Sequence, residues 1–497
     1  MVNRFSLSAA AGYVWSSAVA KLPILSQGAE PPEPVQSPLH FAASLAPRRV
    51  YIDTFGCQMN LHDSQRMVSL MAAEGYVPTE GPEDADLIIL NSCSVRDKAE
   101  QKVRSRAGEL KRLKKARPDV VLAIGGCVAQ QEGQRMLDRI PHADIVFGPD
   151  HLSRLPELVR GVRDGGGRRN ETEFLDRADF QFPEITDAAP VQTSAFVSVM
   201  KGCDKYCAFC IVPFTRGREV SRPADEVVEE VRKLADYGTR EIVLLGQTVN
   251  TYGQRKRDDQ IPFHELLARV SEVPGVERVR FTSPHPADFT DEQIAAFRDL
   301  PQLCPHMHLP VQSGSDRVLK LMRRGYTRAQ YLEVVDKLRE VAPQVALGTD
   351  IIVGFPGETE EDFEMTLSLV ERVRYHSAYS FAYSERVGTR ALDFEGSVPV
   401  PERFDRLRRL QAVQDAITKA FLDEMVGTRQ TIMVEGPSKT DPTRVTGRTG
   451  QNRPVHAPGD FKVGTLLEVE IVEAYKHSAL GRPLKADGVA IDPAASA

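Results

Sequence analysis

Lys201-Gly202-Cys203-Asp204-Lys205-Tyr206-Cys207-Ala208-Phe209-Cys210 decides how this chain is read. Its three thiols follow a C-x3-C-x2-C spacing, directly after an apolar, β-prone run at 195–200. Thiols this tightly grouped at the end of a strand form a metal-ligand pattern rather than a disulfide pattern. A 4Fe–4S cube normally takes four thiolates, and three leave one iron with an open, reactive position. A zinc knuckle completed by a distant histidine is the alternative reading of the same spacing.

Outward from this loop, residues 195 to about 420 repeat strand and helix six times. The expected strands are 195–200, 241–245, 277–283, 305–311, 345–353 and 377–383. Six units without a seventh and eighth predict an open, partial (β/α) barrel with its site at the carboxyl ends of the strands. Three segments fall at such ends. They are Gly246-Gln247-Thr248-Val249-Asn250, Gln312-Ser313-Gly314-Ser315 and the stretch from Asp350 through Gly354 to Glu358. Glycine admits close backbone approach, and Gln, Asn and Ser offer hydrogen bonds. Phe209, Gly246, Gln247, Asn250, Gln312, Ser313 and Gly354 are therefore the candidate cofactor contacts. Ordinary turn chemistry is the plainer account of each one singly.

Upstream, residues 49 to about 163 also alternate strand and helix, with strands expected at 50–54, 87–90 and 120–124 and a helix at 61–74. Short apolar runs separated by helices predict a parallel sheet. Cys57, Cys93 and Cys127 each stand just past one of these strands. Open α/β sheets bind ligands at that edge, so three distant thiols converge there on a second shared cluster. Three separately buried small residues are the alternative. Gly165-Gly166-Gly167 and the polar stretch to 193 read as a linker. From about 425 to 490 the helical period stops. β-rich runs at 431–435, 444–448 and 466–472 predict a small all-β barrel.

Composition bounds the rest. The 497 residues allow about three domains, and a 41% hydrophobic, 27% charged chain is an ordinary globular one. The net charge of −6 excludes a polycation, so any nucleic-acid contact must be local. No apolar run is long enough to span a bilayer. Residues 1–48, rich in Ala, Ser and Pro, read as a disordered extension, with a targeting segment as the alternative. The seventh cysteine, Cys304, stands before Pro305-His306-Met307-His308 and reads as packing rather than ligation. His306 and His308 share a strand face. Basic residues crowd the expected helix at 102–117, where a solvated face accounts for them. They recur in the β barrel, where Arg429, Arg444, Arg448 and Lys476 are the candidate RNA contacts.

In order and motif, residues 49 to 490 resemble the radical-SAM methylthiotransferase family. Thr54-Phe55-Gly56-Cys57-Gln58-Met59-Asn60 and Gly202-Cys203-Asp204-Lys205-Tyr206-Cys207 look like its branch acting on isopentenyladenosine in tRNA. The resemblance implies three parts: a cluster-bearing N-terminal domain at 49–163, a radical-SAM barrel at 194–424 and a TRAM-type barrel at 425–490. It implies two 4Fe–4S clusters, on Cys57, Cys93 and Cys127 and on Cys203, Cys207 and Cys210, with S-adenosylmethionine bound at the second. A 5′-deoxyadenosyl radical would take hydrogen from carbon 2 of the adenine, and a methylthio group would replace it. The implied partners are a tRNA and a flavodoxin- or ferredoxin-type electron donor. A cytoplasmic monomer is expected, and the sulfur donor is left open. Two features depart from the family: the N-terminal extension, and Ser384-Glu385-Arg386-Val387-Gly388-Thr389-Arg390 in place of a Pro-rich turn. A relative acting on threonylcarbamoyladenosine or a ribosomal-protein aspartate is one rival. The Gln58-Met59-Asn60 and Asp204-Lys205-Tyr206 signatures argue against it. An RNA-binding iron–sulfur sensor is the non-enzymatic rival.

Overall fold

The computed structural model describes residues 47–94, 97–175, 182, 192–254, 260–439 and 441–485. The extension at 1–48 lies almost wholly outside them. Two compact units divide the chain, one reaching Leu175 and the other running from Pro190.

The first unit is a six-stranded parallel sheet. Its strands are β1 (Arg48–Thr54), β2 (Tyr76–Pro78), β3 (Leu87–Ser92), β4 (Val121–Gly126), β5 (Ile145–Phe147) and β6 (Arg169–Glu171), in the order β2-β1-β3-β4-β5-β6. β3 and β4 are buried at every position, because helices cover both faces. Alternate residues feed two separate cores. Ile88, Leu90, Leu122 and Ile124 pack on one face, and Leu87, Ile89, Val121 and Ala123 on the other. The helix expected at 61–74 begins earlier, at Gln58, with Cys57 at its N-cap. β2, β5 and β6 are three-residue strands too short to carry a periodicity. β6 lies inside the stretch read as a linker and pairs with β5, so the sheet extends past Gly165-Gly166-Gly167.

In the second unit the expected strand at 195–200 breaks at Val199 into β7 (Ser194–Ser198) and β8 (Met200–Lys201). β8 pairs antiparallel with β9 (Val220–Ser221), which ties down the cysteine loop between them. The remaining barrel strands are β10 (Glu241–Leu245), β11 (Arg278–Phe281), β12 (His306–His308), β13 (Ala346–Val353) and β14 (Ser377–Ala382). They form two parallel sheets, β11-β10-β7 and β12-β13-β14, bridged at Val279–Leu303. The six-strand open barrel expected from the sequence is this arrangement.

A 25-residue helix, Val400–Glu424, leads to a closed barrel. Its strands are β15 (Arg429–Pro437), β16 (Arg444–Thr449), β17 (Pro454–Pro458), β18 (Leu466–Ala474) and β19 (Ala479–Pro483), ordered β15-β16-β17-β19-β18. β17 and β19 escape a sequence reading because Pro454, Pro458, Gly481 and Pro483 look like turn residues. Two arginines of β11 hold this barrel against the larger one. Arg278 donates to the carbonyls of Arg448 (2.7 Å) and Thr431 (2.9 Å). Arg280 donates to those of Gly450 (2.8 Å) and Thr449 (3.0 Å).

Candidate iron–sulfur centres

In the first unit, strand register brings the cysteines to one edge. Thr54 pairs with Asn91, and Ser92 with Gly126, so Cys57, Cys93 and Cys127 follow three adjacent strands at their carboxyl ends. Two glycines make the approach possible. A Cβ on Gly56 would lie 2.6 Å from the Cys93 Cβ, and one on Gly126 (φ +91°) would lie 2.3 Å from the Ser92 carbonyl. Beneath the thiols runs a buried polar clamp. Asn60 Nδ2 donates to Asn91 Oδ1 (3.1 Å) and to the Ser92 carbonyl (2.8 Å). Asn91 Nδ2 returns to the Asn60 carbonyl (2.7 Å) and to Ser64 Oγ (2.9 Å). The Cys57 thiol reaches Asn60 Oδ1 at 3.4 Å. In the sequence Asn60 and Asn91 carry no assigned role. Beyond the place of Asn60 in the Cys57 motif, their signal there is an amide side chain beside each of two strand-end cysteines.

In the second unit, Cys203, Cys207 and Cys210 share one loop and interact electrostatically. Burial raises the Cys203 thiol, against hydrogen bonds from Thr248 and the Lys205 amide. Burial, with the charge of Cys207 next, pushes Cys210 up to about 12. Cys203 Sγ lies 2.9 Å from Thr248 Oγ1, and the buried Arg324 guanidinium donates to Cys207 Sγ at 3.4 Å. Lys205, inside the loop, is pinned to Asp288 at 2.6 Å. Thr248, Arg324 and Asp288 have no role legible in the sequence, because strand-end loops far apart in the chain bring them here.

All seven cysteines are free thiols. Among the described residues no group of His, Cys, Asp or Glu is arranged to hold a single metal ion. A cube takes one thiolate per iron, so its ligands stand farther apart than those around one ion. Two thiol triplets, each with buried polar support, fit such cubes by donor chemistry.

The candidate cofactor contacts divide. Gln247 keeps both side-chain amide atoms buried and without a hydrogen-bond partner, directly after β10, a donor and an acceptor open to a ligand. Gly246 leaves no room for a side chain, since a Cβ would lie 2.6 Å from Met200 Cγ. Phe209 packs on the small core of Ala208 and Phe355. Gln312 takes φ +73° and bridges β13 through its main chain. The other three are already engaged within the protein. Asn250 clasps the backbone of His285 at 2.7 and 3.0 Å. Ser313, fully buried, accepts from the Ser315 amide at 3.3 Å. The Gly354 amide donates to Glu358 at 2.8 Å, and Arg403 fills the space over its Cα. For these three the turn-chemistry reading describes what the structure holds.

The basic residues of the small barrel divide as well. Arg444 pairs with Asp441 (2.9 Å), Arg448 with Glu435 (3.1 Å) and Lys476 with Asp415 (3.1 Å). Three of the four candidate RNA contacts are thus partly neutralised, while Arg429 stands exposed on β15. In the helix Asp97–Ala116, Arg104 and Arg106 are likewise paired with acids, whereas Lys102, Lys111 and Arg112 point to solvent. Cys304 is buried, with Arg278 and Arg280 among its charged neighbours.

Comparison with known proteins agrees with this layout. Residues 49–148 match the uncharacterized protein family UPF0004, 197–370 the radical SAM superfamily and 423–484 the TRAM domain. Among solved structures, the radical S-adenosylmethionine methyltransferase TsrM from Kitasatospora setae, with cobalamin and a 4Fe–4S cluster bound, shares the fold at 13% identity. Its TM-score is 0.50, covering 78% of this chain and 77% of that one. The tRNA-2-methylthio-N(6)-dimethylallyladenosine synthase of Bordetella petrii is 47% identical over 90% of this chain and 94% of its own length. That of Syntrophotalea carbinolica is 48% identical over 87% and 98%. With three matched domains in order and near-half identity across almost its whole described length, the chain belongs to the family of tRNA-2-methylthio-N(6)-dimethylallyladenosine synthases, radical-SAM methylthiotransferases.

Proposed function

We propose that this chain places a methylthio group on carbon 2 of N(6)-dimethylallyladenosine in tRNA, at the position next to the anticodon. The observation that carries this reading is the pair of thiol triplets, each set at the carboxyl edge of its own parallel sheet in a chain of this family. When bound, two 4Fe–4S clusters and S-adenosylmethionine would supply the radical that opens the carbon–hydrogen bond and the methyl of the group that replaces the hydrogen. Cys203, Cys207 and Cys210 would hold the first cluster, and Cys57, Cys93 and Cys127 the second.

The chain's own residues prepare both places. Arg324 sets a buried guanidinium against the Cys207 sulfur. Thr248 orients Cys203 through its hydroxyl. The Lys205–Asp288 pair fixes the loop between the first two cysteines. Gln247 offers one donor and one acceptor for the methionyl end of the cofactor. Cys203 and Cys207 are each only 9% exposed, so bulk water has little access to their thiols.

The adenine must leave its stack to be reached, which suits a single-stranded anticodon loop. The electron donor in this reading is a flavodoxin or ferredoxin, and the enzyme works as a cytoplasmic monomer. Among the described residues no helix is long and apolar enough to cross a membrane. The deciding experiment is anaerobic incubation of the reconstituted protein with dimethylallyl-modified tRNA, followed by nucleoside mass spectrometry. A mass gain of one methylthio group on that nucleoside is expected. Methylthiolation confined to threonylcarbamoyladenosine or to a ribosomal-protein aspartate would overturn the reading.

A further inference from the structure

The interior of a closed (β/α) barrel is filled by layers of apolar side chains. This open barrel places charged and polar side chains among its inward-facing residues. On β11, Phe281 meets the helix rings of Phe263 (5.2 Å) and Phe297 (5.9 Å), so the alternate residues Arg278 and Arg280 face inward. Arg280 pairs there with Glu241 at 2.8 Å. On β13, Thr349 is fully buried and donates to the Leu309 carbonyl at 2.9 Å, beside the outer-layer Tyr331, which donates to the same carbonyl at 2.9 Å and accepts from Tyr375. Its neighbours Asp350 and Ile352 therefore face inward too.

Strand register then builds one inner wall. His308 pairs with Gly348, Asp350 with Tyr379, and Ile352 with Phe381. His308 Nε2 lies 3.2 Å from Asp350 Oδ1, and its ring meets Tyr379 edge-on at 5.8 Å. Gly348 makes the space, since a Cβ there would come within 3.1 Å of His308 Nδ1. Tyr379 and Phe381 are 38% and 48% exposed, large rings left uncovered on β14, the end strand of its sheet. The wall is continuous with the cysteine loop. Pro310, two residues beyond His308, accepts at 2.9 Å from the same Arg324 that contacts Cys207.

We propose that Tyr379 and Phe381 are the stacking wall for the substrate adenine and its dimethylallyl tail, with His308 as the polar contact to the base edge. Asp350 acts through His308 as a positioning residue. The proposal rests on the tRNA reading above and names where that substrate is read. Unstacked bases settle on exposed aromatic faces, and a branched five-carbon tail needs an apolar partner, which Phe381 and Ile352 provide. Neither ring is tied to the cysteines or to Gln247.

The test uses the full chain with both clusters assembled and two anticodon stem-loop RNAs, one carrying the dimethylallyl group and one without it. Dissociation constants are read by fluorescence anisotropy. Wild type should prefer the modified loop. Tyr379→Ala should weaken binding of that loop about tenfold, and Tyr379→Phe should restore it. Phe381→Ala should shrink the preference for the modified over the unmodified loop. Iron content and circular dichroism identify any variant that fails to fold, for which Tyr379→Leu serves as the replacement. Unchanged affinity in Tyr379→Ala overturns the proposal. So does a parallel loss of S-adenosylmethionine binding, which would assign the wall to the cofactor. A wild type with no preference at all would instead strike at the tRNA reading beneath it.

Discussion

Asn60 and Asn91 hold each other twice, side chain to side chain at 3.1 Å and side chain to backbone at 2.7 Å. Both are fully buried, and each stands within three residues of a candidate cluster ligand, Cys57 or Cys93. Asn91→Ala should take away one of the two acceptors of the Asn60 amide, which keeps the Ser92 carbonyl, and the donor to the Asn60 carbonyl and Ser64 hydroxyl, at a cost of about 1–3 kcal/mol. The expected outcome is a lower melting temperature and reduced iron in the first cluster domain. Iron quantification of the variant beside Cys203→Ala separates the two sites. Full iron occupancy would show the clamp to be unnecessary for cluster assembly.

The two triplets lie in separate compact units, so each should assemble alone. Cys203→Ala should lose about half the iron, one cluster of two, together with all 5′-deoxyadenosine formation. Cys93→Ala should lose a similar share of iron and still cleave S-adenosylmethionine. Loss of cleavage in Cys93→Ala, with the second cluster intact by Mössbauer spectroscopy, would reverse the division of labour.

Cys304 is 4% exposed and has Arg278, Arg280 and Glu241 as its charged neighbours. Burial raises its thiol above the ordinary range, so it stays protonated and neutral at pH 7. Cys304→Ser should keep the iron content of the wild type and lose only modest stability. Iron below the wild-type level in this variant would make it a ligand.

Removing the small barrel would strip Arg278 and Arg280 of four carbonyl partners, so truncation confounds RNA binding with folding. Charge reversal is the cleaner test. Arg429→Glu on the exposed end of β15 should weaken tRNA binding and flatten its salt dependence, by about 0.7 in the log–log slope for each phosphate no longer neutralised. Arg444→Glu should do less, because Asp441 already offsets that charge. Equal slopes for Arg429→Glu and wild type would move RNA recognition elsewhere, with Lys102, Lys111 and Arg112 the next residues to reverse.

Asp362 closes the capping box of the helix Glu360–Val373 and takes hydrogen bonds from Arg317 and Ser315. Burial opposes its charge, but these bonds prevail and hold its carboxyl at about 2, below the usual 3.8. A depressed folded-state pKa stabilises the fold above about pH 4 and loses that stabilisation as pH falls toward 2. Asp362→Asn should therefore lower the melting temperature at pH 7 and lose less of it on acidification. Parallel melting curves for the two proteins between pH 6 and pH 3 would refute this.

The chemistry and most of the architecture are legible in the chain alone. Cys203, Cys207 and Cys210 sit within eight residues, so their grouping needs no folding to be seen. Several strands stand out because each carries a short apolar run, as Leu87-Ile88-Ile89-Leu90 and Val121-Leu122-Ala123-Ile124 do. Three-residue strands such as β5 and β6, and the proline-bounded β17, carry too little pattern to announce themselves and exist because a neighbour offers them hydrogen bonds. Side-chain roles at strand ends depend on tertiary packing. Gln247 and Asn250 look alike in the chain, yet Asn250 has a backbone within reach and Gln247 does not. The same holds for Arg444 and Arg429, one facing an aspartate and the other solvent. A sequence states which donors and charges a segment carries. Which of them remain free is settled by whatever distant segments fold against it.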